Sequence, residues 1–154
     1  MTLSRVPSGT LSGAPRTPTA ALVVIVQGGC PPLGSGPATE PRFLLLLRGK
    51  TAPWAPGRWG LPGGSLQPAE TPHAAALREM GEEIGSSGLR ALWYAGQIRS
   101  WVVYLTYDNG QDIVFTDNEH DAFAWVTVGE LPHFPLAPGV TACLALALRK
   151  YHND

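Results

Sequence analysis

The chain has 154 residues, a formal net charge of −1 and 44% hydrophobic residues. This length suits one domain with a sizeable core, and the near-zero charge gives no global basic field that would attract a nucleic-acid polymer. Its two cysteines, Cys30 and Cys143, lie far apart without metal-type spacing, so we expect a reduced, cytoplasmic setting. The longest apolar runs are only strand-sized, so we expect neither a membrane partner nor a secretory leader.

Strand and loop signals alternate through the first third of the chain. Residues 1–19 are rich in Ser, Thr, Pro and Gly and predict a flexible tail, after which residues 20–154 are expected to form a single domain. The β-branched run at residues 20–27 predicts a buried strand. Residues 28–41 predict a Gly- and Pro-rich surface loop, and residues 43–48 a second strand.

A second loop, residues 49–64, leads into the following helix and carries two tryptophans. Trp54 and Trp59 could stack on a base, but aromatic residues near a turn more often pack, and packing is the favoured interpretation. Positive charge near this loop offers phosphate contacts, since arginine can bind phosphate oxygens with two N–H groups. Ordinary surface charge is the alternative for each. The candidate substrate contacts are Arg48, Lys50 and Arg58.

A helix is predicted over residues 72–84. Thr71 can cap the free N–H groups, and Pro72 suits the first helical position. Gly85 is a natural stop, because a helix end often needs a left-handed residue. Apolar and small residues fall on one side of this helix at about 100° per residue. They are Ala74, Ala76, Leu77, Met80, Gly81 and Ile84.

Three carboxylates share the opposite side of the same helix. Glu79, Glu82 and Glu83 stand at spacings i, i+3 and i+4, where side chains are neighbours. They repel one another and lie near the unfavourable end of the helix dipole, so a cation would stabilise them. Clustered hard oxygen ligands suit Mg²⁺ or Mn²⁺. A solvated acidic face is the other interpretation of such a charge run.

Two features outside the carboxylates favour the metal site. Arg78 and Glu70 can pair across the turn that enters the helix, which would fix the approach of the chain. The turn at residues 61–64 brings bare backbone close to the carboxylates, where a carbonyl group could become a further ligand.

The residues after this helix predict further strands. Residues 92–98 and 101–107 are strand-like. Asn109 and Gly110 form a strong hairpin turn signal that leads into a third strand at residues 113–116.

The last third of the chain predicts one more strand and a closing helix. A polar loop at residues 116–121 precedes a strand at residues 122–128 and an irregular, Pro-rich stretch at residues 129–138. Apolar residues at helical spacing predict a helix over residues 139–151 that covers one side of the sheet. Cys143 lies among these apolar residues and is interpreted as an inert packing residue.

The spacing of the glycines, acids and arginine resembles the Nudix box, G-x5-E-x7-R-E-U-x-E-E-x-G-U, where U is a bulky apolar residue. The box runs over residues 64–86, and Met80 fills its first apolar position. Ser86 replaces the usual aliphatic residue at the last position, which helps to pack the loop after the helix. The seven fixed identities are Gly64, Glu70, Arg78, Glu79, Glu82, Glu83 and Gly85.

The resemblance implies an α+β fold, a Nudix-type α/β/α sandwich with a mixed β-sheet between helices. It also implies metal-dependent hydrolysis of a phosphoanhydride bond in a nucleoside diphosphate linked to another group. Glu82 is implied as a catalytic ligand, and Glu83 or a loop acid such as Glu119 as the general base. Arg78 with Glu70 would orient the site from behind the ligands. The implied ligands of Mg²⁺, or of Mn²⁺, are Gly64, Glu79, Glu82 and Glu83.

The polar loop carries the remaining candidates, since Glu119, His120 or Asp121 could reach the metal site. In similar Nudix enzymes, an acidic residue on a loop near this place supplies a metal ligand or the general base, and Glu119 matches by loop position. His120 is expected at the surface rather than in catalysis.

Three functions are weighed against one another. An active hydrolase is favoured over a nucleotide-binding or regulatory module without catalysis, because Glu79, Glu82 and Glu83 are all present. A structural protein with an acidic helix would leave the Gly and Arg placement unexplained.

The chain lacks the SQPWPFPQ-type pattern of NADH pyrophosphatases and the downstream Pro of ADP-ribose hydrolases. A nucleoside triphosphate or a related small nucleotide is therefore the favoured substrate, with ADP-ribose and dinucleoside polyphosphates as alternatives. The chain would act as a monomer or homodimer.

Overall fold

The computed structural model describes residues 16–28, 40–85 and 91–153. Two sequence expectations, on the packing at Ser86 and on Cys30, lie outside these ranges, as do most of the predicted tail and of the loop after the first strand. The strands and helices of the described ranges follow one another in the order given next. They are β1 (Ala20–Gln27), β2 (Arg42–Arg48), β3 (Trp59–Gly60), β4 (Gly63–Ser65), α1 (Pro72–Ile84), β5 (Trp93–Ile98), β6 (Trp101–Tyr107), β7 (His120–Val126), a 3₁₀ helix (Val128–His133) and α2 (Val140–Asn153).

The strands form one mixed sheet in the order β3-β2-β1-β6-β5, with β4 paired to β1 and β7 paired to β2. β1 runs parallel to β6 along nearly its whole length. Its antiparallel pairing with β2 is confined to Val26–Phe43 and Gln27–Arg42, while the other end of β1 pairs with β4. The predicted opening pair is therefore present but splayed. β4 brings the turn at residues 61–64, which we call the glycine turn, into the sheet beside α1.

Apolar side chains build a core on each face of the sheet. In β1, Val23 and Ile25 pack with α1, whereas Val24 and Val26 pack with α2. A strand buried on both faces is typical of the centre of a sheet covered on both sides. The arrangement confirms the predicted α/β/α sandwich. Cys143 of α2 is fully buried, and burial raises the pKa of its thiol to about 11, as expected for an inert packing residue.

The strand predicted at residues 113–116 is wrong. Residues 108–119 form a loop, because β6 already pairs with β1 on one side and with β5 on the other. A hairpin partner would need one of those two edges. The loop instead follows the C-terminal end of α1, where the Val114 N–H donates to the Ile84 carbonyl at 3.2 Å.

The predicted ends of α1 are confirmed. The Thr71 side chain accepts the Ala74 N–H at 3.1 Å, and Gly85 ends the helix with a φ of 71°. A Cβ on Gly85 would lie 2.9 Å from the Val114 carbonyl oxygen, so the glycine also lets the loop approach the helix end.

We predict that Gly85→Ala destabilises the protein more than Gly57→Ala. Both glycines have a φ near 70°, so each alanine should cost about 1–2 kcal/mol of backbone strain. A Cβ on Gly57 would meet nothing within 4 Å, whereas one on Gly85 must also displace the loop at Val114. Urea unfolding of the two variants measures the difference. Equal unfolding free energies would mean that the loop contact at Gly85 adds nothing.

Candidate active site

The glycine turn lies directly against the carboxylates of α1. Gly63 has a φ of 138°, and a Cβ there would lie 2.2 Å from the Ala21 carbonyl oxygen. A Cβ on Gly64 would lie 2.5 Å from Glu79 Oε1. Only glycine fits at either position without movement of its neighbours, which explains why bare backbone adjoins the acids.

Arg78 ties this turn to α1 through five hydrogen bonds. Its Nε and Nη2 donate to the two carboxylate oxygens of Glu70 at 2.8 and 3.0 Å, and Nη2 also donates to the Ser65 carbonyl at 3.0 Å. Its Nη1 donates to Glu79 at 3.0 Å and to Glu82 at 2.7 Å. The predicted pairing of Arg78 with Glu70 is confirmed, and we call these five residues the Arg78 network. The hydrogen bonds from Arg78 lower the pKa of Glu70, and the same hydrogen bonds to Glu70 raise the pKa of Arg78.

The three helix carboxylates occupy different environments. Glu82 is exposed, and Glu79 is half-buried with its pKa raised by burial. Glu83 has a side chain only 4% exposed, and its Oε1 accepts the Gly63 N–H at 2.6 Å. Burial, aided by the nearby charges of Glu79 and Asp117, raises the pKa of Glu83 to about 9. A carboxylate in that position favours a cation or a proton beside it.

The expectation that His120 lies at the surface is wrong. Its side chain is 1% exposed, with Nε2 3.5 Å from Glu83 Oε2 and Nδ1 3.3 Å from Asp117 Oδ2. The cause is a bulge in β7: Leu47 pairs with Ala122, while Arg48 pairs with His120. The extra residue reverses the side-chain alternation and turns His120 toward α1.

The polar loop before β7 is held at several points. The Gly49 N–H donates to the Glu119 carbonyl at 2.8 Å, and the Thr116 hydroxyl donates to the carbonyls of Gly81 and Glu82 near the end of α1. Asp117, which the sequence interpretation does not include, accepts the Glu119 N–H at 3.2 Å. That turn geometry is one for which Asp is preferred, so a signal for Asp117 was present in the sequence.

Of the three candidate phosphate contacts, Arg48 lies at the site. It lines the same cavity as Glu79 and Glu119, and its Nε donates to the Trp54 carbonyl at 2.6 Å. Arg58 is exposed and donates to the Leu136 carbonyl at 3.3 Å. Lys50 is also exposed, and neither it nor Arg58 lines this cavity.

The cavity has a volume of about 560 Å³ and is lined by two chemically different groups of residues. One group is polar and includes Gly63, Gly64, Glu79 and Glu119, and the other is aromatic, Trp54 and Trp101. These two rings meet edge to face with centroids 6.0 Å apart, and Trp54 stays 45% exposed. The packing interpretation is confirmed for Trp59, whose ring meets Phe134 at 5.2 Å. Trp54 packs as well, but it also forms part of the cavity wall.

Comparison with protein families shows to which family the chain belongs. The sequence profile of the NUDIX domain matches residues 19–146. The chain belongs to the Nudix family. In this structure the fixed positions of the Nudix box lie on the glycine turn (Gly64), in the loop before α1 (Glu70), on α1 (Arg78, Glu79, Glu82 and Glu83) and at its C-terminal end (Gly85).

Relatives of this Nudix chain are named as hydrolases. The NAD-capped RNA hydrolase NudC of Deinococcus radiodurans is 35% identical over 136 residues, which cover 85% of this chain and 45% of that protein. The nucleoside triphosphatase NudI of Escherichia coli is 31% identical over 98 residues, which cover 53% of this chain and 70% of that protein. These names support a Nudix-type pyrophosphohydrolase. The chain spans less than half the length of NudC.

The fold of solved Nudix proteins agrees with this structure. The MutT protein of Methanosarcina mazei superimposes with a TM-score of 0.63 at 20% identity, covering 93% of this chain and 99% of that one. In the described parts of the Nudix chain, no helix has the length and apolar content that a membrane-spanning helix needs.

The donors of this Nudix site fit a divalent cation. Gly64 and Glu79, which both line the cavity, offer hard oxygen donors, and a Cβ on Gly64 would touch the Glu79 carboxylate. Glu82 and Glu83 follow on the same helix but are not part of the cavity lining. Glu83, Asp117 and His120 form a second possible set, because one ligand atom from each lies within 4.8 Å of the others.

We predict that Arg78→Lys lowers the free energy of unfolding by about 1–3 kcal/mol, because a lysine cannot reproduce the paired hydrogen bonds to Glu70. Arg149→Lys, at an exposed position of α2, is the matched control and should be near neutral. Urea unfolding measures both. If both variants unfold at the wild-type urea concentration, the Arg78 network does not stabilise the fold.

Proposed function

We propose that this Nudix domain is a divalent-metal-dependent pyrophosphohydrolase that cleaves a phosphoanhydride bond of a small nucleotide. One observation carries the proposal. A single cavity joins the oxygen donors around Gly64 and Glu79 to the indole rings of Trp54 and Trp101. A nucleotide has the matching two halves, a charged phosphate chain and a flat aromatic base.

The metal ligands in this proposal are Gly64, Glu79, Glu82 and Glu83, with Mg²⁺ as the expected ion and Mn²⁺ as a substitute. Arg78 hydrogen-bonds to one carboxylate oxygen of Glu79 and to one of Glu82, in both cases Oε1. The Oε2 atom of each carboxylate is not bound by Arg78 and is the proposed ligand atom. When bound, the ion would screen the phosphate charges and lower the pKa of a water molecule.

The protein's own groups would bind and orient the substrate. Arg48 lines the cavity with its guanidinium carbon 5.3 Å from the centroid of the Trp54 ring, and it is the candidate to bind phosphate oxygens. Glu83 and Glu119 are the two candidates for taking the proton of the attacking water. Glu83 is buried and fixed by the Gly63 N–H, whereas Glu119 is exposed at the cavity rim. Arg78 and Glu70 would hold the ligands in place.

Nucleoside triphosphates are the favoured substrate class. The names of the two relatives, a nucleoside triphosphatase and an NAD-capped RNA hydrolase, share a nucleotide with a phosphoanhydride bond. A cavity of about 560 Å³ is of the size that holds a small molecule. The net charge of −1 gives no attraction to a long RNA. The cytoplasmic setting and the monomer or homodimer state stay predictions.

We predict that Glu83→Gln lowers kcat at least about 100-fold on the best substrate, since a ligand or base is lost while the side-chain shape is kept. The assay measures phosphate or pyrophosphate release with Mg²⁺ or Mn²⁺. Its panel comprises nucleoside triphosphates, oxidised dGTP, NAD, ADP-ribose, sugar nucleotides and dinucleoside polyphosphates. No metal-dependent turnover by folded wild-type protein would contradict the proposal and favour a binding module.

Glu119→Gln assayed beside Glu83→Gln separates the two proton acceptors. If Glu119 takes the proton, its variant should lose kcat while the Mn²⁺ affinity stays near wild type. If Glu83 is both ligand and base, only its variant should lose kcat, together with Mn²⁺ affinity. Full activity in Glu83→Gln would remove both roles from Glu83.

We predict that Trp54→Ala raises the KM for the nucleotide about 10-fold, since stacking of an aromatic side chain on a base contributes about 1–3 kcal/mol. Trp93→Ala is the matched control, because Trp93 is 41% exposed but packs on Tyr107 outside the cavity. Steady-state kinetics measures both variants. An unchanged KM in Trp54→Ala would mean that the base is held elsewhere.

A further inference from the structure

We infer that His120 is a positioning residue that fixes the carboxylate of Glu83. The inference rests on the proposed function, in which Glu83 binds metal or takes a proton. His120 is the first residue of β7, directly after the loop that carries Glu119, so the inference gives the start of this strand a role in orienting Glu83.

The contacts around Glu83 leave its carboxylate little freedom. The Gly63 N–H binds Oε1 at 2.6 Å, and His120 Nε2 lies 3.5 Å from Oε2. One contact comes from the glycine turn and the other from β7. The carboxylate of Glu83 is therefore contacted by two elements other than its own helix, α1. A ligand held within a narrow range of orientations is what an efficient metal site requires.

The imidazole is itself fixed on its other sides. Its Nδ1 lies 3.3 Å from Asp117 Oδ2, and the Phe115 ring stacks over it with centroids 6.3 Å apart and an interplanar angle of 28°. Asp117 is fixed in turn by the Glu119 N–H. The order Asp117–His120–Glu83 is therefore a chain of polar contacts that leads from the loop into the site.

This arrangement differs from that of a histidine that merely fills the core. Such a residue would satisfy its ring nitrogens with backbone groups, whereas both nitrogens of His120 face carboxylates. An imidazole carries one N–H when neutral and two when protonated. With an N–H on both nitrogens the ring can donate to both carboxylates, whereas with one N–H it can donate to only one of them.

The bulge in β7 supports this assignment. Without the extra residue between Ala122 and His120, strand alternation would turn the imidazole away from α1. The bulge thus places the ring where it meets Glu83. Irregularities of this kind are often found next to active sites, where they redirect a side chain.

The test compares His120→Gln with His120→Asn. The amide nitrogen of Gln reaches the place of Nε2 and can keep the contact with Glu83, whereas that of Asn takes the place of Nδ1 and can keep only the contact with Asp117. Mn²⁺ affinity is measured by electron paramagnetic resonance on the full chain, and kcat and KM on the best substrate. His133→Asn, exposed in the 3₁₀ helix, is the control.

We expect His120→Asn to lower both Mn²⁺ affinity and kcat about 10- to 100-fold, with KM for the nucleotide nearly unchanged. His120→Gln should recover most of the loss, and His133→Asn should match wild type. Wild-type affinity and kcat in both His120 variants, or a Gln variant weaker than the Asn variant, would overturn the inference. Nitrogen coupling to Mn²⁺ in the echo-modulation spectrum of the wild type would also overturn it, because the imidazole would then bind the ion directly.

Two further results separate this inference from the proposed function. Wild-type protein that binds Mn²⁺ but hydrolyses no nucleotide would contradict the proposed function alone, and the Mn²⁺ affinities of the variants would still decide the role of His120. If both His120 variants fail to fold by circular dichroism, Phe115→Leu decides instead, since it removes the ring stacked on His120 and Phe115 has no atom that could bind the ion. It should lower Mn²⁺ affinity, and an unchanged affinity would overturn the inference.

Discussion

The site depends on the position of one guanidinium. Arg78 is the only group of the described residues that hydrogen-bonds to Glu70, Glu79 and Glu82 together. It reduces the repulsion among acids that helical spacing forces into proximity, and its bond to the Ser65 carbonyl fixes the glycine turn against the same helix. Arg78 therefore links the helix, the turn and the carboxylates, and such support is what orients the ligands of a metal site.

A second attachment to the same helix lies at the C-terminal end of α1. The loop before β7 binds the last carbonyls of α1 through Val114 and Thr116, and Gly85 permits that close approach. Because the last carbonyls of a helix lack intrahelical partners, they are available to a neighbouring loop. The glycine turn and the loop before β7 are thus both attached to α1, although they lie far apart in the sequence.

Local signals were enough to predict much of this structure. The ends of α1 follow from Thr71, Pro72 and Gly85, and the pairing of Arg78 with Glu70 follows from the box. The loop at residues 113–116 and the burial of His120 could not be predicted in the same way. The first depends on both edges of β6 being occupied, and the second on a bulge set by pairing with β2. Such pairings join distant parts of the chain, so no local window contains them.

The burial of Glu83 indicates which part of the site is specialised for function. A carboxyl group that is 4% exposed and near other acids destabilises the fold when it ionises, and the Gly63 N–H offsets only part of that cost. A glutamine would satisfy the same N–H without the charge. A glutamate at this place is therefore explained by chemistry that needs its negative charge, such as binding a cation, rather than by stability. Exposed Glu82, whose charge is solvated and paired with Arg78, carries no such implication.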